Sequence, residues 1–317
     1  MKVLYAGSPL IAVPALEFLA KQSNYGDGFT LAGLLTNPDS PKSRSGKPAP
    51  TECAAVTEKF SPAIPVFKPE KLDSVAREQI AAIKPDLLVS FAYGKLFGPK
   101  FLALFPLGGI NIHPSLLPKY RGATPIPAAI LNRDTQTGIS IQQLAEKLDC
   151  GNILAQEKVP LDGLETTASL SETMAAKAVA LLSSTLKGIL AGNILSYAQD
   201  HSIATYCPLL SKEDGLIDWN QSAYEIDARI RAFNPWPLSW TFHGGLQLFI
   251  LKAKAQENFG KAMPPGQVLG KNEKEGIMIQ TGNGILAVTE LQYSTKKALH
   301  WKDFLNGNQK LMSERLG

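Results

Sequence analysis

Asn111 and His113 stand two residues apart in the stretch Gly-Gly-Ile-Asn-Ile-His-Pro-Ser-Leu-Leu-Pro, residues 108–118. On a β-strand alternate side chains share a face, so Ile110 and Ile112 point one way and Asn111 and His113 the other. An amide is a neutral donor, and an imidazole donates or accepts near pH 7. Together they can hold a carbonyl oxygen and stabilise charge developing on it, which is equipment for acyl transfer. A carboxylate that orients the imidazole and handles a proton would complete the set. Leu-Asp-Cys-Gly-Asn, 148–152, supplies Asp149, with Gly151 permitting a tight turn. No Ser or Cys nucleophile is needed if the acceptor is an amine, because an α-amino group with a pKa of about 7.7 to 8.0 loses its proton with little help.

Each residue also has a structural explanation. An Asn or His at a strand end commonly caps backbone groups, and an Asp ahead of Cys-Gly commonly forms a turn. Two polar groups on one strand face, stopped by the rigid Pro114 to Pro118 loop, are harder to explain so, since polar groups at a sheet end must otherwise be satisfied.

The elements that must position these residues follow from the apolar periodicity. Short apolar runs at 2–7, 30–36, 64–67, 86–92 and 109–113 alternate with helical stretches near 12–21, 51–60, 73–83 and 97–104. That alternation predicts a Rossmann-like α/β domain with a mostly parallel sheet covered on both faces. Ligands of such sheets bind beyond the carboxyl ends of the strands, where His113 falls. The first turn, Ala-Gly-Ser-Pro-Leu-Ile-Ala, lacks the glycine fingerprint of a dinucleotide site, and no P-loop pattern occurs. Two further strand-like pieces, 137–144 and 153–161, precede a helix from about Leu170 to Ala191, which closes the first domain at 1–205. Beyond it, Gly244-Gly245 and Gly282-Asn283-Gly284 each separate two strand-like runs, so 206–317 is expected to be a small OB-like β-barrel.

With 317 residues, 44% apolar and 19% charged, and a mean hydropathy of -0.03, the chain has the composition of a globular protein. Three cysteines without Cys-x-x-Cys spacing suggest neither a disulfide framework nor a metal site, and the simplest compartment is the reducing cytoplasm. Gly7, Ser8, Pro9 and Glu17 interrupt the apolar start, and no apolar run is read as reaching the roughly 18 residues that span a bilayer. The formal charge of +4 is mild, but its distribution is not even. From Leu246 to Gly317 ten bases face six acids, an excess that equals the net charge of the whole chain. This cationic stretch, including Lys252, Lys254, Lys296 and Lys297, fits RNA docking. A Pro-rich basic loop with Lys42, Arg44 and Lys47 suits phosphate contact, although charge runs are often only solvated surface.

Asn-Ile-His-Pro-Ser-Leu-Leu-Pro followed by Leu-Asp-Cys-Gly resembles the folate-dependent formyltransferases, whose signature is Asn-x-His-x-Ser-Leu-Leu-Pro with a later Asp-x-Gly. The segments 36–50, 89–97 and 230–240 extend the likeness over almost the whole chain, toward the members that act on methionyl initiator tRNA. The resemblance implies formyl transfer from 10-formyltetrahydrofolate to the α-amino group of methionyl initiator tRNA. It implies that Asn111 and His113 polarise the formyl oxygen, that Asp149 orients the imidazole and assists proton transfer, and that the basic loop meets the tRNA acceptor end. It also implies that Ser115, Leu116, Leu117 and Pro118 form a folate-contacting loop and that Phe91, Ala92, Tyr93 and Gly94 line the pterin pocket. No metal, membrane or obligate protein partner is implied. A nucleotide-sugar N-formyltransferase can share the trio, but carries too few phosphates on its substrate to need so extended a basic surface. A purine-pathway formyltransferase would lack the second half. A noncatalytic RNA-binding protein would leave the trio unexplained.

Overall fold

The apolar runs of the first half form one seven-stranded sheet in the computed structural model, which describes residues 1–23, 28–41, 46–258 and 263–317. Its strands are β1 (Lys2–Gly7), β2 (Thr30–Leu35), β3 (Val66–Phe67), β4 (Leu87–Phe91), β5 (Gly109–His113), β6 (Gln136–Gln143) and β7 (Ile153–Pro160). They are ordered β7-β6-β5-β4-β1-β2-β3. β1 to β5 are mutually parallel, and β6 and β7 add an antiparallel edge. β1 and β4 are buried along nearly their whole length, which is why they read as continuous apolar runs rather than alternating ones.

The chain divides into two compact units, one of residues 1–125, 136–160 and 171–208, the other of 126–135, 161–170 and 209–317. Helices of the first half are α1 (Val13–Ser23), α2 (Glu52–Thr57), α3 (Ser74–Ala82) and α4 (Pro99–Leu102). Thr51 and Asp73 cap α2 and α3 through their side-chain oxygens. Two more follow, α5 (Pro125–Leu131), which the periodicity does not reveal, and α6 (Thr167–Leu190). α6 is long and apolar enough, by length and composition, to cross a membrane, contrary to the expectation that no segment would be. The count of consecutive apolar residues misses it because Ser, Thr and Lys interrupt the run. Met174, Ala178, Leu182 and Leu186 recur every four residues on it and are buried, the stripe of a helix packed along one face.

The second unit carries a sheet of β8 (Ser239–His243), β9 (Leu246–Gln256), β10 (Val268–Asn272), β11 (Gly276–Gln280) and β12 (Ile285–Tyr293), ordered β8-β9-β12-β11-β10. Every pairing in it is antiparallel. Gly244 and Gly245 both take positive φ, +55° and +75°, as a two-residue hairpin turn between β8 and β9 requires. Helix α7 (Ala223–Ala232) opens on a reciprocal cap between Ser222 and Glu225. Its Ile226 and Ile230 share a core with Leu248, Ile250, Ile277, Leu286, Trp219 and Trp301, the last being the first residue of α8 (Trp301–Asn306).

Candidate active site

The parallel strand order reverses between β1 and β4, the place where an open α/β sheet leaves a crevice. Here the protein's own polar groups knit that seam. Asn37 Nδ2 donates to the Tyr93 carbonyl at 2.9 Å and to Ser8 Oγ at 3.1 Å, while Ser8 Oγ lies 3.2 Å from Thr36 Oγ1. The segment after β4 is thereby fixed, with Ala92 and Gly94 at φ +52° and +82°. Phe91 and Tyr93 turn inward and are buried, Tyr93 stacking on Phe97 at 5.4 Å, and burial pushes the Tyr93 hydroxyl up to about 12. Of the four residues 91–94, only Ala92 and Gly94 face outward.

One strand further, β5 delivers Asn111 and His113. Ile110 and Ile112 are buried in the core on the opposite face, as alternation requires. The antiparallel register with β6 sets Gln142 opposite Asn111 and Ser140 opposite His113, so four polar side chains share one face of two strands. Ser140 ties down the loop that follows β5. Its hydroxyl donates to the Ser115 carbonyl at 2.6 Å and accepts from the Leu117 amide at 3.1 Å. Gln156 adds a bond to the Leu117 carbonyl at 2.9 Å, and Ser115 Oγ donates to Lys119 O at 2.6 Å. Ser115 and Leu117 are buried by this arrangement, whereas Leu116 and Pro118 are half-buried.

Asp149 reaches the same face from the β6–β7 connection. Its Oδ2 accepts from the Gly122 amide at 2.8 Å, and its Oδ1 accepts from Gln142 Nε2 at 2.8 Å and from Asn111 Nδ2 at 3.5 Å. The conformational demand of the turn falls on Asp149 itself, at φ +53°, rather than on Gly151. Gly151 is needed for closeness instead, since a Cβ there would lie 1.8 Å from the Gln143 carbonyl oxygen.

His113 is buried, and its Nε2 sits 2.8 Å from the Tyr120 carbonyl. A carbonyl only accepts, so Nε2 carries a proton, and Nδ1 faces Asp149 Oδ2 3.7 Å away. The Tyr120 carbonyl offers the ring the shorter and better-directed bond, and Asp149 stands at the opposite ring nitrogen. The clamp on both groups is the tripeptide 120–122, which gives its first carbonyl to His113 and its last amide to Asp149. Its own backbone pairs with Tyr206–Cys207, and the Gly122 φ of +110° places a hypothetical Cβ 2.3 Å from the Cys207 oxygen.

Three residues of this network escape a reading of the sequence: Gln142, Gln199 and Arg121. Arg121 is 1% exposed, and its guanidinium donates to Gln199 Oε1, the Tyr206 hydroxyl and His201 Nδ1, all neutral acceptors, at 2.7 to 3.1 Å. Gln142 could have been found as the polar residue that continues the Ser140 face of β6 opposite Asn111. Among the described residues, no group of three or more His, Cys, Asp and Glu gathers as a metal site.

Of the basic residues, Lys42 and Arg44 lie outside the described residues, and Lys47 is exposed. Lys252 and Lys254 project from one face of β9, Lys252 pairing with Glu290 at 2.7 Å. Lys296 and Lys297 are exposed, the Lys296 ammonium 5.8 Å from the Tyr293 ring centroid.

Residues 2–186 match the family model described as formyl transferase, and residues 209–309 match the model of the formyl transferase C-terminal domain. Fold and sequence together define a formyl transferase. Solved structures agree on the fold alone. A sugar 3N-formyl transferase, WlaRD, superposes with a TM-score of 0.66 at 19% identity, covering 94% of this chain and 99% of that one. HypX from Aquifex aeolicus in complex with tetrahydrofolic acid superposes with a TM-score of 0.64 at 16% identity over 96% of this chain, which spans only 47% of HypX. Curated relatives are far more similar. The methionyl-tRNA formyltransferase of Treponema denticola is 49% identical, with 97% of each chain covered. That of Roseiflexus castenholzii is 38% identical over 100% of this chain and 99% of the relative. The chain belongs to the methionyl-tRNA formyltransferase family.

Proposed function

We propose that the protein transfers a formyl group from 10-formyltetrahydrofolate to the α-amino nitrogen of methionyl initiator tRNA, at the face shared by Asn111, His113 and Asp149. The observation that carries this reading is the 3.7 Å gap between His113 Nδ1 and Asp149 Oδ2. In the neutral-ring, ionised-carboxylate state both atoms are acceptors, so the gap is made for a donor. A primary amine, entering as the neutral form that an α-amino group with a pKa of about 7.7 to 8.0 readily gives, supplies such an N–H donor, and both atoms are placed to accept from it.

The roles of the side chains follow. The amine nitrogen attacks the formyl carbon, and the Asn111 amide donates to the oxygen on which negative charge develops. His113 Nδ1 takes the amine proton, and the imidazolium so formed is stabilised by Asp149 across the short gap. As the carbon parts from the donor nitrogen, that proton is returned to the leaving nitrogen, so the step balances with no external acid. The folate supplies the formyl group when bound. The loop 115–118 and the backbone of Ala92 and Gly94 are the groups that would hold it, since Phe91 and Tyr93 are committed to the core.

The antiparallel sheet of the second unit, read as an OB-like barrel over 206–317, is the part we assign to tRNA, with Lys252, Lys254, Lys296 and Lys297 as phosphate contacts alongside Lys42, Arg44 and Lys47. Three free thiols, Cys53, Cys150 and Cys207, fit a reducing cytoplasm. The test is transfer of labelled formyl from the folate to methionyl-tRNA or to a nucleotide-linked amino sugar. Label on the tRNA supports the reading, and label on the sugar alone overturns it.

A further inference from the structure

Gln199 is 6% exposed and uses both ends of its amide. Its Oε1 accepts from Arg121 Nε at 3.1 Å and Nη2 at 2.7 Å. Its Nε2 donates to the carbonyls of Gly151 at 2.7 Å and Asp149 at 3.0 Å, and lies 3.2 Å from Gln142 Oε1. The orientation of the amide is unambiguous, because a guanidinium only donates and a carbonyl only accepts. Gln199 thus grips the carbonyls on either side of Cys150, the first of them that of Asp149, which holds φ +53°. An L residue stays in that left-handed region only while its surroundings hold it there.

The grip belongs to a longer strap. Residues 197–207 attach to the site at several points: Tyr197 exchanges both backbone bonds with Ile153, and the Thr205 carbonyl and hydroxyl accept from the Arg121 and Tyr120 amides. The Tyr120 carbonyl holds His113, and the Gly122 amide holds Asp149. Gln199 is the one side chain of the strap that bonds directly to the Asp149 backbone.

We infer that Gln199 is a positioning residue for Asp149, fixing the carboxylate at its 3.7 Å approach to His113 through the paired carbonyls of Asp149 and Gly151. This rests on the proposed role of Asp149. Gln199 touches no reacting atom, so its loss acts on turnover and leaves the binding of either substrate intact. Misplacing a reacting group by an ångström or so lowers rates by about 10- to 100-fold.

Gln199→Glu separates positioning from folding, because the carboxylate still accepts from Arg121 but offers acceptors, not donors, to the two carbonyls. The purified variant is expected to stay folded by circular dichroism at the assay temperature with a lowered Tm, and to keep, within twofold, its KM for methionyl-tRNA and for the folate. Its kcat should fall by about 10- to 100-fold, with no further fall when the change is combined with Asp149→Asn. Parental kcat in a folded variant, a raised KM at unchanged kcat, or an equal loss in the Asp149→Asn background would each overturn the inference. If Gln199→Glu folds poorly, Gln199→Asn, which shortens the arm by one methylene and keeps the amide, is read by the same criteria. A fully active Asp149→Asn would sink the role of Asp149 itself, an outcome distinct from an inert Gln199.

Discussion

His113 Nδ1 and Asp149 Oδ2 face each other at 3.7 Å, while the opposite ring nitrogen of His113 is held by the Tyr120 carbonyl at 2.8 Å. The pair is therefore arranged around a gap rather than joined by a bond. In a Ser-His-Asp triad the carboxylate takes the ring N–H and leaves the other nitrogen for the nucleophile. Here the ring N–H goes to the backbone, so imidazole and carboxylate both remain available to one proton. Asp149→Asn replaces one acceptor by a weak donor while keeping the volume. Turnover should drop by about 10² to 10⁴, the range for a general acid or base, with the fold retained by circular dichroism. Near-parental rates would leave Asp149 a turn former only.

Among the described residues the Asn111 amide makes only a 3.5 Å approach to Asp149, so most of its donor capacity is unspent there. An amide left this way can serve an oxygen that becomes charged during the reaction. Asn111→Ala should lower kcat by about 10² to 10³, the scale of one oxyanion donor. An unchanged kcat, measured under saturating substrates, would remove that role.

Gly122 joins the two halves of the clamp. Its amide holds Asp149, its φ is +110°, and an added Cβ would lie 2.3 Å from the backbone oxygen of Cys207. Backbone cannot give way as a side-chain tip can. Gly122→Ala should cost about 1 to 3 kcal/mol in urea unfolding, the range for backbone strain, and lower kcat in the protein that remains folded. A neutral effect on both would mean that the segment bends freely.

Much of the site was legible because β-strand alternation has a period of two. Asn111 and His113 share a face for that reason alone, and Ile110 and Ile112 confirm the other face. The parallel half of the sheet was legible from its continuous apolar runs. What stayed hidden depends on distant chain segments. Arg121 meets Gln199 across 78 residues and Gln199 meets Asp149 across 50, and no local pattern encodes such pairings. The carbonyl that orients His113 was equally unreadable, because backbone groups carry no sequence signature. The start of α7 was different: Ser222 and Glu225 spell a capping box that could have been read.

That cap gives a stability prediction with a pH signature. The Ser222 hydroxyl, and then its backbone amide, hold the Glu225 carboxyl below the usual carboxylate range. A depressed folded value stabilises the protein above the unfolded pKa, about 4.3 for Glu, and that contribution is lost as pH falls through the folded value. Ser222→Ala should cost about 1 kcal/mol at pH 7, and the difference from the parent should shrink in acid below that window. A gap independent of pH would show that Glu225 does not take part.

The cationic residues of the second unit make a different kind of claim, one about salt rather than rate. Lys254, Lys296 and Lys297 are exposed, and exposed cations that meet phosphates release counterions when the complex forms. Each phosphate contact contributes about 0.7 to 0.9 to the slope of log affinity against log salt. Lys252 is less informative, since Glu290 already neutralises it at 2.7 Å. The combined change of Lys254, Lys296 and Lys297 to Ala should weaken methionyl-tRNA binding and flatten its salt slope by about 2 to 3 if all three meet phosphate. The KM for the folate should not move, because the residues assigned to that ligand lie in the other unit. An unaltered salt slope would assign these lysines to solubility, and a raised KM for the folate would show that the substitutions disturb the fold rather than the tRNA contact.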